Sequence, residues 1–156
     1  MSEGPRGRPG GTGSVRLRAA CLAAAAIAML APAHAGDAVP PRRICSLSLA
    51  GDELLALLVD PARVACVSTF VDDPELSNVA GRYPATVPRL AARIEPVLSV
   101  RPDLAVVAPW NAADVVELLR RTGVPSFTLP DADDFDGIRA ALLSLGDRVG
   151  AGERAA

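Results

Sequence analysis

The inventory of reactive side chains is short. Among 156 residues there is no lysine and one histidine, His34. Schiff-base catalysis and the phosphate-gripping ammonium of a P-loop are therefore excluded. Carboxylates are the main titratable groups left. Several sit just after predicted strands: Asp52 and Glu53, Asp72 and Asp73, Asp131 and Asp133. Their spacing fits no calcium-binding loop, and aspartates in such loops serve mostly as turn formers and helix caps. No metal site and no catalytic residue is assigned on this basis. A nucleophile–base pair could be assembled only from carboxylates, so a small exported enzyme using Asp72 or Asp73 stands as an alternative; it requires raised carboxyl pKa values. The turn Ser48-Leu49-Ala50-Gly51-Asp52 lacks the G-x-G-x-x-G needed for close approach to a pyrophosphate, which argues against a dinucleotide.

Binding residues are easier to nominate. The chain has five aromatics; Phe70 and Trp110 directly follow predicted strands, and Tyr83 lies in a long irregular loop nearby. Aromatic rings on loops provide large, stiff contact area for an organic ligand, with polar tips for orientation. With Ser48, Gly51 and Asn111 from the neighbouring turns they form the predicted ligand-binding set. Capping the core at the sheet edge is the competing role for Phe70 and Trp110.

These residues share one edge only if the elements between them alternate. Residues 43–48, 63–69, 104–108 and 124–129 read as short apolar strands. Residues 52–59, 94–100, 112–121 and 134–149 have helical spacing, with Ile138, Leu142, Leu145 and Val149 at steps of four, three and four. Gly123 closes the third helix behind Arg120 and Arg121, which complement its dipole. Residues 72–90 show no clean period and contain Pro74, Gly81, Pro84 and Pro88. The predicted fold class is α/β, a three-layer sandwich with a small, mostly parallel four-stranded sheet. In such sheets ligands sit at the carboxyl ends of the strands.

The first 35 residues have a different character. Arg6, Arg8, Arg16 and Arg18 precede an apolar stretch over residues 19–31, followed by Ala33-His34-Ala35. That is the pattern of a secretory signal peptide, with Val15 as an alternative start. Cleavage after Ala35 would remove the only histidine, and imidazole catalysis and histidine metal cages with it. Cys21 opens the apolar stretch instead of closing it, which disfavours a lipid anchor. Export would permit a disulfide between Cys45 and Cys66, but both fall inside predicted strands, where packing as small apolar side chains is the expectation. A net charge of −2 offers no footprint for nucleic acid.

The pattern 43–48 followed by Asp52-Glu53-Leu54-Leu55, then Val67-Ser68-Thr69, Asp73-Pro74, Gly81-Arg82-Tyr83, residues 94–104 with their Pro102-Asp103-Leu104 turn, and Gly123-Val124-Pro125 resembles the N-terminal lobe of the helical-backbone (class III) periplasmic solute-binding proteins of ABC importers. The resemblance implies two lobes joined by a long helix. A metal chelate (ferric siderophore, cobalamin or haem) would be clamped between them and handed to an ABC permease at the inner membrane. It implies periplasmic localisation, a monomer if complete, no resident cofactor and a permease-docking role for Asp114. The domain reading is a signal peptide over 1–35, a linker over 36–41, the lobe over 42–150 and the start of a truncated interlobe helix over 151–156. A non-functional fragment is a further alternative.

Overall fold

Short apolar runs bounded by turn formers become strands, and the longer runs between them become helices. The computed structural model describes residues 39–156, with Met1 and Gly4 besides; apart from those two, the predicted export signal, with Cys21 and His34, lies outside the described residues. The order is β1 (Ile44–Ser46), α1 (Leu49–Leu58), a 3-10 turn (Pro61–Arg63), β2 (Val64–Ser68), β3 (Arg89–Leu90), α2 (Ile94–Ser99), β4 (Leu104–Val107), α3 (Ala113–Arg121), β5 (Ser126–Thr128), α4 (Phe135–Arg148) and α5 (Gly152–Ala155).

The strands form one sheet in the order β3-β2-β1-β4-β5, and every neighbouring pair is parallel. This bears out the α/β class, with five strands instead of the predicted four. The extra one, β3, lies in the stretch read as irregular. Two residues are too few to show a period of two, and β3 exists only because Val67 and Ser68 pair with it.

Side chains alternate across the sheet and build two cores. Ile44, Val67, Leu104 and Val106 face Leu55 and Leu58 of α1 and Leu145 of α4. Cys45, Cys66, Ala105 and Val107 face Val97 of α2 and Val115 and Leu119 of α3. Helices thus cover both faces, which is why the strands read as continuous apolar runs.

A register shift between β1 and β2 corrects one expectation. Ile44 pairs with Val64 but Cys45 pairs with Cys66, so Ala65 is an extra residue on the bulged strand. The bulge brings the two cysteines opposite each other on one face, with Cα atoms 4.5 Å apart, and they are joined by a disulfide. The expectation of two independently packed thiols therefore fails.

The turn before β4 anchors the sheet. The Asp103 carboxylate accepts the Arg42 and Arg43 amides at 2.7 and 2.9 Å, and the Arg43 guanidinium donates to the carbonyls of Val100 and Arg101. The motif most specific to the resemblance thus pins the start of β1 to the start of β4. After α4 the chain reverses at Gly150, whose φ of +69° suits glycine, and α5 packs back on α1 and α4. Ala155 is buried there, and a Cβ at Gly146 would stand 2.5 Å from the Ala155 Cβ.

Candidate functional site

The sheet order places a topological switch between β1 and β4: from β1 the chain winds one way to β2 and β3, then returns to build β4 and β5 on the other side. At such a point the loops leaving adjacent strands diverge and open a crevice at their carboxyl ends. The turn at Ser48 leaves β1, and Trp110 and Asn111 follow β4. Of the residues predicted to converge, Ser48, Gly51, Trp110 and Asn111 lie on the loops leaving these two adjacent strands, and they divide the work.

Ser48 and Gly51 position the rim from below. The Ser48 hydroxyl accepts the Gly51 amide at 3.2 Å and so caps α1, while the Ser46 hydroxyl donates to the Ser48 carbonyl at 3.0 Å. Both are buried. A Cβ on Gly51 would fall 2.6 Å from the Ser46 Oγ and 3.2 Å from the Val106 Cγ1, so glycine is what lets α1 lie this close to the sheet. Asn111 bridges the two strand ends: its carbonyl accepts the Ala108 amide at 2.7 Å and its amide donates to the Leu47 carbonyl at 3.0 Å. It stitches the ends of β1 and β4 together.

Trp110 is the predicted residue left most open, with 68% of its surface exposed. It flanks a pocket of about 260 Å³. Ala50, Glu53 and Leu54 of α1 form one wall, residues 129–132 after β5 another, and Ile138 and Ala141 of α4 the floor. The lining is mainly apolar, and among the described residues its only charged side chains are Glu53 and Asp131. Sequence reasoning missed Leu54, Leu129 and Ile138 as lining residues. Ile138 lies on the helical stripe read as core, yet in the first turn of α4 it stays 49% exposed.

Tyr83 does not belong to this surface, which corrects the prediction. Its ring is buried, 4% exposed, and its hydroxyl donates to the Asp52 carbonyl at 2.6 Å. Burial pushes its phenol upward. The Asp52 carboxylate, with no exposed surface, accepts the Ser68 amide at 3.1 and 3.2 Å and the Ser68 hydroxyl at 2.6 Å. Burial raises its carboxyl to about 6, against the opposing pull of the Ser68 and Ser46 hydrogen bonds. Together Asp52, Ser68 and Tyr83 clamp α1 to β2 and the long loop, beneath the rim. Phe70 is exposed, 56%, but follows β2 on the far side of β1 from Trp110 and does not line the pocket.

The acids offered for catalysis behave as structural groups. Asp72 pairs with Arg89 at 2.7 Å, which holds its carboxyl below the usual range, opposite to what a general acid at that position requires. Asp73 accepts the Glu75 amide at 2.9 Å and turns the loop. The raised carboxyl, Asp52, has its donors fully engaged within the fold. Asp114 stands exposed in the first turn of α3. Among the described residues no group of three His, Cys, Asp or Glu side chains is arranged to hold a metal ion, and no helix is long and apolar enough to cross a membrane.

No family model and no curated protein matches the chain. Solved structures do. A possible iron-binding periplasmic solute-binding protein from Staphylococcus epidermidis aligns at 22% identity and TM-score 0.63, over 75% of this chain and 45% of that one. A periplasmic heme binding protein from Pseudomonas aeruginosa aligns at 29% identity and TM-score 0.56, over 74% and 40%. The periplasmic vitamin B12 binding protein BtuF of Vibrio cholerae aligns at 22% and TM-score 0.57, over 74% and 46%. The fold is that of one lobe of a class III periplasmic binding protein. The chain spans less than half the length of these structures.

Proposed function

We propose that this chain is the N-terminal lobe of an exported substrate-binding component of an ABC importer. Its ligand is a metal chelate of the ferric siderophore, cobalamin or haem type, held between the Trp110 rim and an opposing lobe and passed to an inner-membrane permease on which Asp114 docks. Export to the periplasm by the 1–35 signal belongs to the same reading. The observation that carries it is the position of Trp110: a largely exposed indole beside an apolar pocket, at the switch point of a lobe shared with binding proteins. A rim facing one side buries only part of a ligand, so affinity for this lobe alone is expected to be modest.

Trp110 is the only tryptophan, which makes its emission a site-specific probe. Titration with ferric siderophores, cyanocobalamin and haemin should perturb it saturably, and Trp110→Ala should weaken binding by about tenfold or more in equilibrium dialysis. A rim that responds to none of these chelates at millimolar concentration overturns the reading. For the export step, N-terminal sequencing of protein recovered from the periplasm should begin at Gly36.

A further inference from the structure

The charge around the pocket narrows the ligand class, granted the binding role above. Open strand ends with helices starting beside them ordinarily suit anions, because helix N-termini present unpaired N–H groups and positive dipole ends. Here the chain answers those dipoles with its own groups. The first turns of α1, α3 and α4 carry Asp52, Asp114 and Asp136. The Ser48 hydroxyl takes the Gly51 amide of α1, and the Asp134 carboxylate takes the Gly137 amide of α4 at 2.7 Å. The two helix ends flanking the pocket therefore have capped donors.

Among the described residues no arginine lines the pocket, and its two charged side chains are both acidic. Arg89, on the β2–β3 side of the rim, commits its guanidinium to Asp72 and to the carbonyls of Tyr83, Pro84 and Val87. Glu53 is held in place by accepting the backbone and side-chain amides of Asn78 at 2.8 and 2.9 Å, so its charge cannot swing away at little cost. A ligand entering beside Trp110 thus meets an apolar wall, an aromatic face and two carboxylates. An anionic chelate would desolvate against like charge, whereas a cation gains from both carboxylates and from the indole quadrupole.

We propose that this rim selects a chelate of neutral or positive net charge presenting an apolar edge, and rejects polyanionic chelates. The test compares, by equilibrium dialysis on the full chain, the monocationic ferric hydroxamate ferrioxamine B, uncharged ferrichrome and the trianionic catecholate ferric enterobactin, at low and at physiological salt. The expected result is binding of at least one of the first two about tenfold or more tighter than the trianion. Raising salt should narrow the gap between ferrioxamine B and the trianion. Asp131→Asn should shrink it by about threefold, with Glu53→Gln shrinking it further. Equal or tighter binding of ferric enterobactin, or a selectivity that Asp131→Asn and Glu53→Gln leave unchanged, overturns the charge inference while leaving the chelate-binding reading intact. Failure of all three to bind, joined by cyanocobalamin and haemin, removes both.

Discussion

The least comfortable side chain in the lobe is Asp52, a carboxyl with no exposed surface whose pKa is raised to about 6. An unfolded aspartate titrates near 3.9. Between pH of about 4 and 6 the folded chain therefore retains a proton that the unfolded chain has lost, so the contribution of Asp52 to stability falls as pH rises through that window and stays low above it. The displacement of two units corresponds to at most about 3 kcal/mol. Asp52→Asn should abolish this slope: in urea denaturation at pH 4.5 and 7, the change in stability should be more favourable for the variant than for the parent by up to that amount. Asp52→Ala should instead destabilise at both pH values, by about 2–4 kcal/mol, because the Ser68 amide and hydroxyl are left buried without an acceptor. From the sequence Asp52 was readable as a loop acid near the rim. Its burial was not, because the donors that hold it come from Ser68, sixteen residues away. Tyr83 shows the same ambiguity: a ring with a polar tip suits a ligand wall and a buried clamp equally, and only the Asp52 carbonyl above its hydroxyl decides.

Between elements, close approach and register govern stability. α1 rides on the sheet through Gly51, so Gly51→Ala should cost about 1–3 kcal/mol despite the better helix propensity of alanine, through the clash with Ser46 and Val106. Chemical denaturation monitored by circular dichroism would reveal it; a neutral or stabilising result would mean α1 can lift from the sheet without penalty. Across the sheet the Cys45–Cys66 bond closes a loop between β1 and β2, spanning α1, with a sequence separation of 21. Replacing both cysteines by alanine should lower stability by about 2–4 kcal/mol. Thiol titration of denatured, unreduced protein should find no more than the Cys21 thiol free. The longer helices were legible because their apolar spacing repeats over several turns, and the longer strands because each is a continuous apolar run bounded by turn formers. β3 and the bulge at Ala65 were not, since each is defined by the partner strand.

At the scale of the whole lobe, the proposed binding and the proposed charge selectivity both rest on loops from β1, β4 and β5 meeting at one rim. Composition and periodicity were enough to establish an α/β fold with parallel strands, to eliminate lysine chemistry, and to bring the loops after the strands to a common edge, because alternation of strand and helix leaves a parallel sheet little other choice; that this fold is one lobe of a larger architecture came from the family resemblance. They also placed Trp110 in the loop after β4, at that edge. The tertiary structure alone decided which of the converging residues face solvent and which are consumed in holding the rim together. Asn111 and Tyr83 are taken up by backbone carbonyls far along the chain, Gly51 by close packing against the sheet, and Ser48 by its local cap on α1. Leu54, Leu129 and Ile138, unremarkable as letters, line the pocket. The reason is physical: local sequence sets the period and hence the face a residue presents, whereas burial and hydrogen-bond satisfaction depend on which distant groups arrive opposite it.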